Sequence, residues 1–270
     1  MISTAPALLP QKILTGQKAL VTGANSGIGR GVAVALGQAG ADVVVNYVTG
    51  EDAAEAVVDE IRRSGVQAFA HQADVSSESQ VSDMFARMCS QFGTIDILIA
   101  NAGLQRDAAF HAMTLEQWNT VLGVNLTGQF LCAHHAVPML KAAGGGAMIN
   151  LSSAAGRFGY AWRTPYSAAK WGVIGFTESL AKELGPSNIR VNAILPGVVA
   201  GPRIEGVIGA RARQEGVSYA AMEQTYLARV SMRRMVTAQD VAGSVLYLLS
   251  AAGVNISGLS LNVDANVESL

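Results

Sequence analysis

Tyr166 and Lys170 stand four residues apart in the run Tyr166-Ser167-Ala168-Ala169-Lys170, and a phenol beside an ammonium is a way to build a proton donor for work near neutral pH. Residues at this spacing lie on one face of a helix, one turn above the other. A free tyrosine gives up its proton near pH ~10, and a positive charge within a few ångströms favours the phenolate. The spacing is short enough to arise by chance, and a helical tyrosine is commonly a core or interface residue. The pair therefore takes its meaning from its surroundings.

A second candidate is the run Thr22-Gly23-Ala24-Asn25-Ser26-Gly27-Ile28-Gly29, which follows an apolar strand-like stretch and opens a helical pattern. A dinucleotide pyrophosphate needs such a position: glycines let the backbone come close, and the free N–H groups of a helix start face the anion. The spacing is Gly-x-x-x-Gly-x-Gly rather than the commoner Gly-x-Gly-x-x-Gly, and a plain tight turn is the competing reading.

Both candidates must be held by the elements around them. Short β-rich runs at 19–22, 42–47, 67–72, 95–100, 147–151, 190–195 and 259–263 alternate with helical patterns over 27–39, 51–64, 78–92, 114–142, 164–184 and 238–250. Several runs are continuously apolar, such as Val43-Val44-Val45, as parallel strands covered on both faces require. Ser76-Ser77-Glu78-Ser79 and Thr237-Ala238-Gln239-Asp240 read as helix starts. The alternation implies a single-domain, Rossmann-type doubly wound α/β fold of about seven parallel strands, spanning 17–270. Residues 1–16 read as a loose extension. Residues 198–236 interrupt the alternation with a long segment of helical character. Ligands of such folds sit at the carboxyl ends of the strands, so this segment is a candidate substrate lid.

The motifs Thr22–Gly29, Asp74-Val75, Asn101-Ala102-Gly103, Asn125, Ser152-Ser153, Tyr166…Lys170 and Pro196-Gly197 occur in the order, and near the spacings, of the short-chain dehydrogenase/reductase family, which the chain resembles from about residue 16 to its end. The front half is similar to bacterial 3-oxoacyl reductases and glucose dehydrogenases. The resemblance implies that Gly23, Asn25, Ser26, Gly27, Ile28 and Gly29 hold a cofactor pyrophosphate. It implies that Asp74 reaches the adenine amino group while the amide of Val75 binds the ring, although an aspartate here is equally an ordinary turn or helix-capping residue. By the same resemblance Asn101, Ala102 and Gly103 shape the cofactor bed. The segment after Pro196 and Gly197, with Val199, passes the carboxamide of nicotinamide.

For the chemical step the resemblance assigns Tyr166 as general acid in carbonyl reduction and general base in alcohol oxidation. Lys170 holds the nicotinamide ribose and tunes Tyr166. Ser153, thirteen positions before Tyr166, hydrogen-bonds the substrate oxygen; Ser152 is the weaker choice because adjacent strand residues point to opposite faces. Asn125 anchors a water linking Lys170 to solvent. At the end of the second strand, Asn46 and Tyr47 stand where an NAD-selective acid would bind the ribose hydroxyls. The missing acid leans toward NADP(H), while Val48 in place of a basic residue, followed by Glu51 and Asp52, keeps NAD(H) open.

Composition limits the partners. The net charge is −1 and only 14% of residues are charged, which leaves no electrostatic footprint for nucleic acid or an anionic membrane. So low a charge content points to a surface covered by other subunits, and family members commonly form homotetramers through the two long helices, here 114–142 and 164–184. Cys89 and Cys132 have no metal or redox spacing and read as buried thiols of a reducing compartment. His71, His111, His134 and His135 have no ligand spacing, so no metal is expected. With neither a signal peptide nor an apolar run of membrane-spanning length, the expected location is cytoplasmic.

The expected substrate is a small carbonyl compound or alcohol. It would meet Leu104, Phe110, Phe158, Tyr160, Trp162, Ile204 and Tyr226, with Arg106, Arg157, Arg163 and Arg203 nearby as solvated residues or as partners for an anionic group. A glucose-type sugar or a 3-oxoacyl thioester is the specific alternative. An enoyl reductase is disfavoured by the Tyr–Lys spacing, and a catalytically silent nucleotide-sensing protein has no need of Ser153. The terminal Val263-Asp264-Ala265-Asn266 departs from the family's Asp-Gly-Gly.

Overall fold

A parallel strand buried on both faces sends alternate side chains into two separate cores, and this chain follows that rule closely. In the computed structural model, which describes residues 12–269, seven strands form one parallel sheet. They are β1 (Lys18–Val21), β2 (Asp42–Tyr47), β3 (Ala68–Gln72), β4 (Ile97–Ala100), β5 (Gly146–Leu151), β6 (Ile189–Pro196) and β7 (Ser260–Val263), in the order β3-β2-β1-β4-β5-β6-β7. The helices are α1 (Gly27–Gln38), α2 (Glu51–Arg62), α3 (Glu78–Phe92), α4 (Leu115–Leu122), α5 (Gly128–Ala142), α6 (Thr164–Leu184), α7 (Pro202–Glu215), α8 (Tyr219–Leu227) and α9 (Ala238–Leu249).

Ala19, Val21, Val43, Val45, Ile97 and Ile99 join buried side chains of α1, α2 and α9 on one face. Leu20, Val44, Leu98 and Met148 join those of α3 and α5 on the other. Burial of each large aliphatic side chain stabilises by roughly 1.5–3 kcal/mol, so the sheet centre is rigid. The strand order reverses between β1 and β4, the point beyond whose carboxyl ends such sheets bind their ligands.

The expected strands and helices recur within one or two residues, with three differences. The helix expected over 114–142 is two helices separated by a π-helical turn, Gly123–Thr127. Asn125 lies inside this turn, fully buried, and its Nδ2 donates to Val121 O at 2.9 Å and to Leu104 O at 2.8 Å. The side-chain amide thus replaces part of the backbone ladder, and such bulges recur at functional sites. The loose extension is corrected for its described part: Leu14 is fully buried and its N–H donates to Ala39 O at 2.8 Å, which seats 12–16 on the core. Residues 1–11 lie outside the described ones. Cys132 is buried but Cys89 is exposed, because on α3 it follows the inward-facing Met88.

At the expected helix start Thr237 and Asp240 form a capping box, whereas Ser77 stands at the N-cap of α3 without a side-chain capping bond. Residues 198–236 fold as α7 and α8. The two stems of this segment join where Val236 N donates to Val198 O and Ala200 N to Val236 O. Its far end is tied to the C-terminus by Ser231 N to Asn266 O and Glu268 N to Arg229 O. Ala265 and Asn266 adopt the left-handed backbone (φ 53° and 60°) that glycines would take freely. The departure from the glycine pair therefore keeps the turn, at a strain of roughly 1–2 kcal/mol for Ala265.

Candidate active site

The glycine turn is built by close backbone approach. A Cβ on Gly29 would stand 2.2 Å from Gly23 O and 2.5 Å from Asn101 Nδ2, and Gly23 itself has φ +60° against Ala102. Asn101 fixes the turn from β4, its Nδ2 donating to Thr22 O at 2.8 Å and to Gly23 O at 3.1 Å. Thr22 Oγ1 accepts from the amides of Asn101 and Ala102, both at 2.9 Å. The first intrahelical bond of α1 is Arg30 N to Ser26 O, so the N–H groups of Gly27, Ile28 and Gly29 face outward without helical partners. Ser26 is exposed and makes no side-chain cap bond. This is a cradle for an anion.

Several expected ligands are instead committed to holding the cradle. Asn46 is 1% exposed; its Oδ1 accepts from Gly23 N at 3.1 Å and its Nδ2 donates to Ala73 O at 2.9 Å. Its amide is engaged between β1, β2 and β3, where it holds the glycine turn in position. Asn25 Nδ2 donates to Thr49 O at 2.7 Å and pins the loop before α2. Tyr47, at the end of β2, is 6% exposed with Glu51 and Glu55 in its field. Asp74 holds the amide and hydroxyl of Ser76 through Oδ1 at 2.9 and 2.7 Å, the bonds of a turn. Its Oδ2 makes no bond among the described residues. The N–H of Val75 has no backbone acceptor there either, while the side chain packs against Gly128. Gly197 is closed in by Asp264, and Val199 bridges to Val236 at the base of the lid.

The proton-handling groups gather where β5 meets α6. Lys170 is 3% exposed; its Nζ lies 5.6 Å from the centre of the Tyr166 ring and donates to Leu151 O at 2.7 Å. Burial, and then the charge of Arg203, push the Lys170 amine down to about 7. Ser152 Oγ donates to Lys170 O at 2.7 Å and locks the helix to the strand end. That bond removes Ser152 from the chemistry. Ser153 is partly exposed and caps the following short turn, its Oγ accepting from Ala155 N at 3.2 Å. A Cβ on Gly103 would touch Asn125 Oδ1 at 2.7 Å, and that oxygen is buried with no partner among the described residues, an acceptor open to a donor such as water.

Sequence reasoning missed Gln129. Four positions after Asn125, it is 2% exposed and its Nε2 donates to Leu151 O at 3.0 Å, the same oxygen that Lys170 uses. A polar residue within the apolar helix 128–142 was its signal in the sequence. Asp107 was missed too. It grips the buried Arg163 guanidinium at 2.8–3.0 Å, and Ala108 N donates to Trp162 O at 3.0 Å, joining the loops after β4 and β5.

Between those loops and the lid lies a cavity of about 740 Å³ walled by Tyr160, Trp162, Met222 and Tyr226, with Arg163 and Arg211 stacked on Tyr160 and Trp162. Its size is that of small-molecule sites. Trp162 holds the left-handed backbone (φ 65°) there, a strained state for a bulky residue. Of the other expected contacts, Phe110 projects into solvent, Phe158 packs against Val230 and Val267, and Ile204, on α7, packs against the Ile208, Ala212 and Met222 cluster between α7 and α8.

Residues 17–210 match the short chain dehydrogenase family. The chain is 36% identical to the 3-oxoacyl-[acyl-carrier-protein] reductase FabG of Staphylococcus aureus over 251 residues, covering 93% of this chain and 98% of that one. It is 38% identical to the 3-oxoacyl-[acyl-carrier-protein] reductase of Synechocystis over 255 residues (94% and 98%). It is 35% identical to the D-beta-hydroxybutyrate dehydrogenase of Cupriavidus necator over 253 residues (93% and 98%). Among solved structures, one described as a short-chain alcohol dehydrogenase of Sinorhizobium meliloti superposes with a TM-score of 0.86 at 32% identity, over 93% of this chain and 96% of that one. The chain belongs to the short-chain dehydrogenase/reductase family and is an oxidoreductase dependent on a nicotinamide dinucleotide.

Proposed function

We propose that the protein interconverts a carbonyl compound and the corresponding secondary alcohol, with Tyr166 moving the proton and NADP(H) favoured over NAD(H). The observation that carries this reading is the Lys170 amine held below the Tyr166 ring, 5.6 Å from its centre, by Leu151 O. The open N–H groups of α1, the close approach at Gly29 and the unengaged Oδ2 of Asp74 fit a dinucleotide lying from β2 to Lys170. When bound, the nicotinamide supplies hydride to the carbonyl carbon or takes it from the carbinol carbon.

Tyr166 gives its phenolic proton to the carbonyl oxygen as the carbon is reduced, and accepts one in the reverse direction. The Ser153 hydroxyl donates to the same oxygen as negative charge builds on it. Lys170 orients the ribose and presents positive charge behind the phenol, while Asn125 Oδ1 holds the water that returns a proton to Lys170. The lid formed by α7 and α8 covers the substrate and excludes solvent. NADP(H) is favoured because Tyr47 takes the place of a phosphate-repelling acid.

The relatives' names support a substrate of the 3-oxoacyl thioester or 3-hydroxy acid kind. Phe130 and Trp171, about half exposed on α5 and α6, support assembly as a homotetramer through those helices, to be checked by light scattering. The activity is tested by following NADPH and NADH absorbance with ketones, keto esters, 3-oxoacyl thioesters and sugars, with Tyr166→Phe alongside. Turnover by a folded, cofactor-binding Tyr166→Phe at the wild-type rate would sink the assignment.

A further inference from the structure

Four arginines stand around the loops that would meet substrate, and the structure separates them. Arg163 is bound by both carboxylate oxygens of Asp107 and stacked on Tyr160. Arg157 faces Asp264 at 3.9 Å and stacks on Phe158. Arg106 is exposed and reaches only the carbonyl of its neighbour Gln105. Arg203 differs from all three. It sits in the first turn of α7, is exposed, forms no ion pair among the described residues, and places Nη2 3.2 Å from Gly103 O.

Gly103 in turn lies against Asn125 Oδ1, and the charge of Arg203 is felt at Lys170. Its bond to Gly103 O, on the loop after β4 that packs against Asn125, therefore puts this guanidinium beside the reacting end of the site. Val207, one turn further along α7, lines the aromatic cavity, so a molecule reaching from that cavity toward Tyr166 passes Arg203. A guanidinium held by one neutral carbonyl keeps most of its five donors for a ligand, and its fork matches a carboxylate. Among the described residues no acidic side chain pairs with it, Glu205 of the same turn included.

We infer that Arg203 is a specificity-determining residue that binds a carboxylate carried by the substrate, so that the preferred substrates are small oxo or hydroxy acids used as free acids rather than as neutral esters or thioesters. The inference rests on the oxidoreductase reading above for the reacting carbonyl. It adds the charge that the other end of the substrate must carry.

Dead-end complexes test it without turnover. With NADPH or NADH bound, 3-hydroxybutyrate and its methyl ester cannot react, and their dissociation constants follow from nicotinamide fluorescence. In the wild type the acid binds about tenfold or more tighter than the ester, in keeping with a charge-assisted pair. Arg203→Met removes that ratio and Arg203→Lys keeps part of it. Equal binding of acid and ester by the wild type overturns the inference, as does a ratio that survives in Arg203→Met. Weakened cofactor binding in Arg203→Met, with no acid preference in the wild type, overturns it in favour of a contact to the cofactor phosphates. Failure of the underlying reading is separate: it appears as absence of any Tyr166-dependent turnover, whatever the binding ratio.

Discussion

Lys170 donates to the main-chain oxygen of Leu151 at 2.7 Å, so the last residue of β5 carries the cation on which the proposed proton transfer depends. The bond ties a charge to the end of a buried central strand, and burial makes that charge costly. The Lys170 amine is pushed down to about 7, first by desolvation and then by Arg203.

The pH dependence follows from this. An unfolded lysine keeps its proton to about pH 10.4, so between about 7 and that point the unfolded chain holds one proton more than the cofactor-free fold. Stability from this group therefore rises with pH across that window, and below about 7 the buried ammonium burdens the fold in full. Lys170→Met removes the burden. Relative to wild type, the variant gains most stability at pH 6, by about a few kcal/mol at most, and the gain shrinks toward pH 9. Urea unfolding at pH 6, 7.5 and 9 checks this, and a difference that is flat with pH would contradict it. The same variant loses turnover by about a hundredfold or more.

Gln129 gives a second prediction because its Nε2 shares Leu151 O with Lys170. With Gln129→Met the carbonyl serves the ammonium alone, which favours the charged form. The pH–rate limb that reports Lys170 then moves up by about half a unit, and kcat falls severalfold as the amine loses its fixed neighbour. The melting temperature changes little, because the lost hydrogen bond is offset by removal of the unpartnered Oε1. Superimposable pH–rate profiles for the two proteins would reduce Gln129 to a packing residue.

Periodicity carried the sheet because parallel strands have no polar face to confuse the pattern, as Val43–Val45 and Ile97–Ala100 show. Motif spacing located Ser153, Tyr166 and Lys170, whose positions along the chain are local facts. The π-helical turn around Asn125 was hidden because one extra residue in a turn barely alters an apolar pattern. Asn46 and Asp74 also bond to Gly23 and Ser76, a second role that the motifs did not show. An amide or carboxylate looks the same in sequence whether it faces a cofactor or the backbone that holds one. Gln129 and Asp107 were missed because their partners, Leu151 and Arg163, are distant in sequence.

The two cysteines should separate by reactivity. Burial pushes the Cys132 thiol up to about 12, whereas Cys89 is exposed on α3. Since the thiolate is the reacting species, an aromatic disulfide reagent titrates one thiol in the native protein and the second only after unfolding. Cys89→Ser abolishes the fast phase. Rapid modification of both thiols in the native state would show that the α5 side of the core opens readily.

Gly29 and Gly27 test the cradle itself, since the two glycines differ in what a methyl group would meet. At Gly27 the added Cβ finds open space, and its cost is the left-handed backbone at φ +53°, roughly 1–2 kcal/mol. At Gly29 the Cβ lands 2.2 Å from Gly23 O, a backbone atom that can yield only if the turn moves off Asn101. Overpacking of this kind costs about 1–3 kcal/mol, and here the displaced atoms are those that would face the pyrophosphate. Gly29→Ala is therefore expected to weaken NADPH binding about tenfold or more, and to weaken it further than Gly27→Ala does at comparable loss of stability. Fluorescence titration beside thermal melts of both variants measures the two quantities. Equal affinities in the two variants would mean that the cofactor does not rest on this turn.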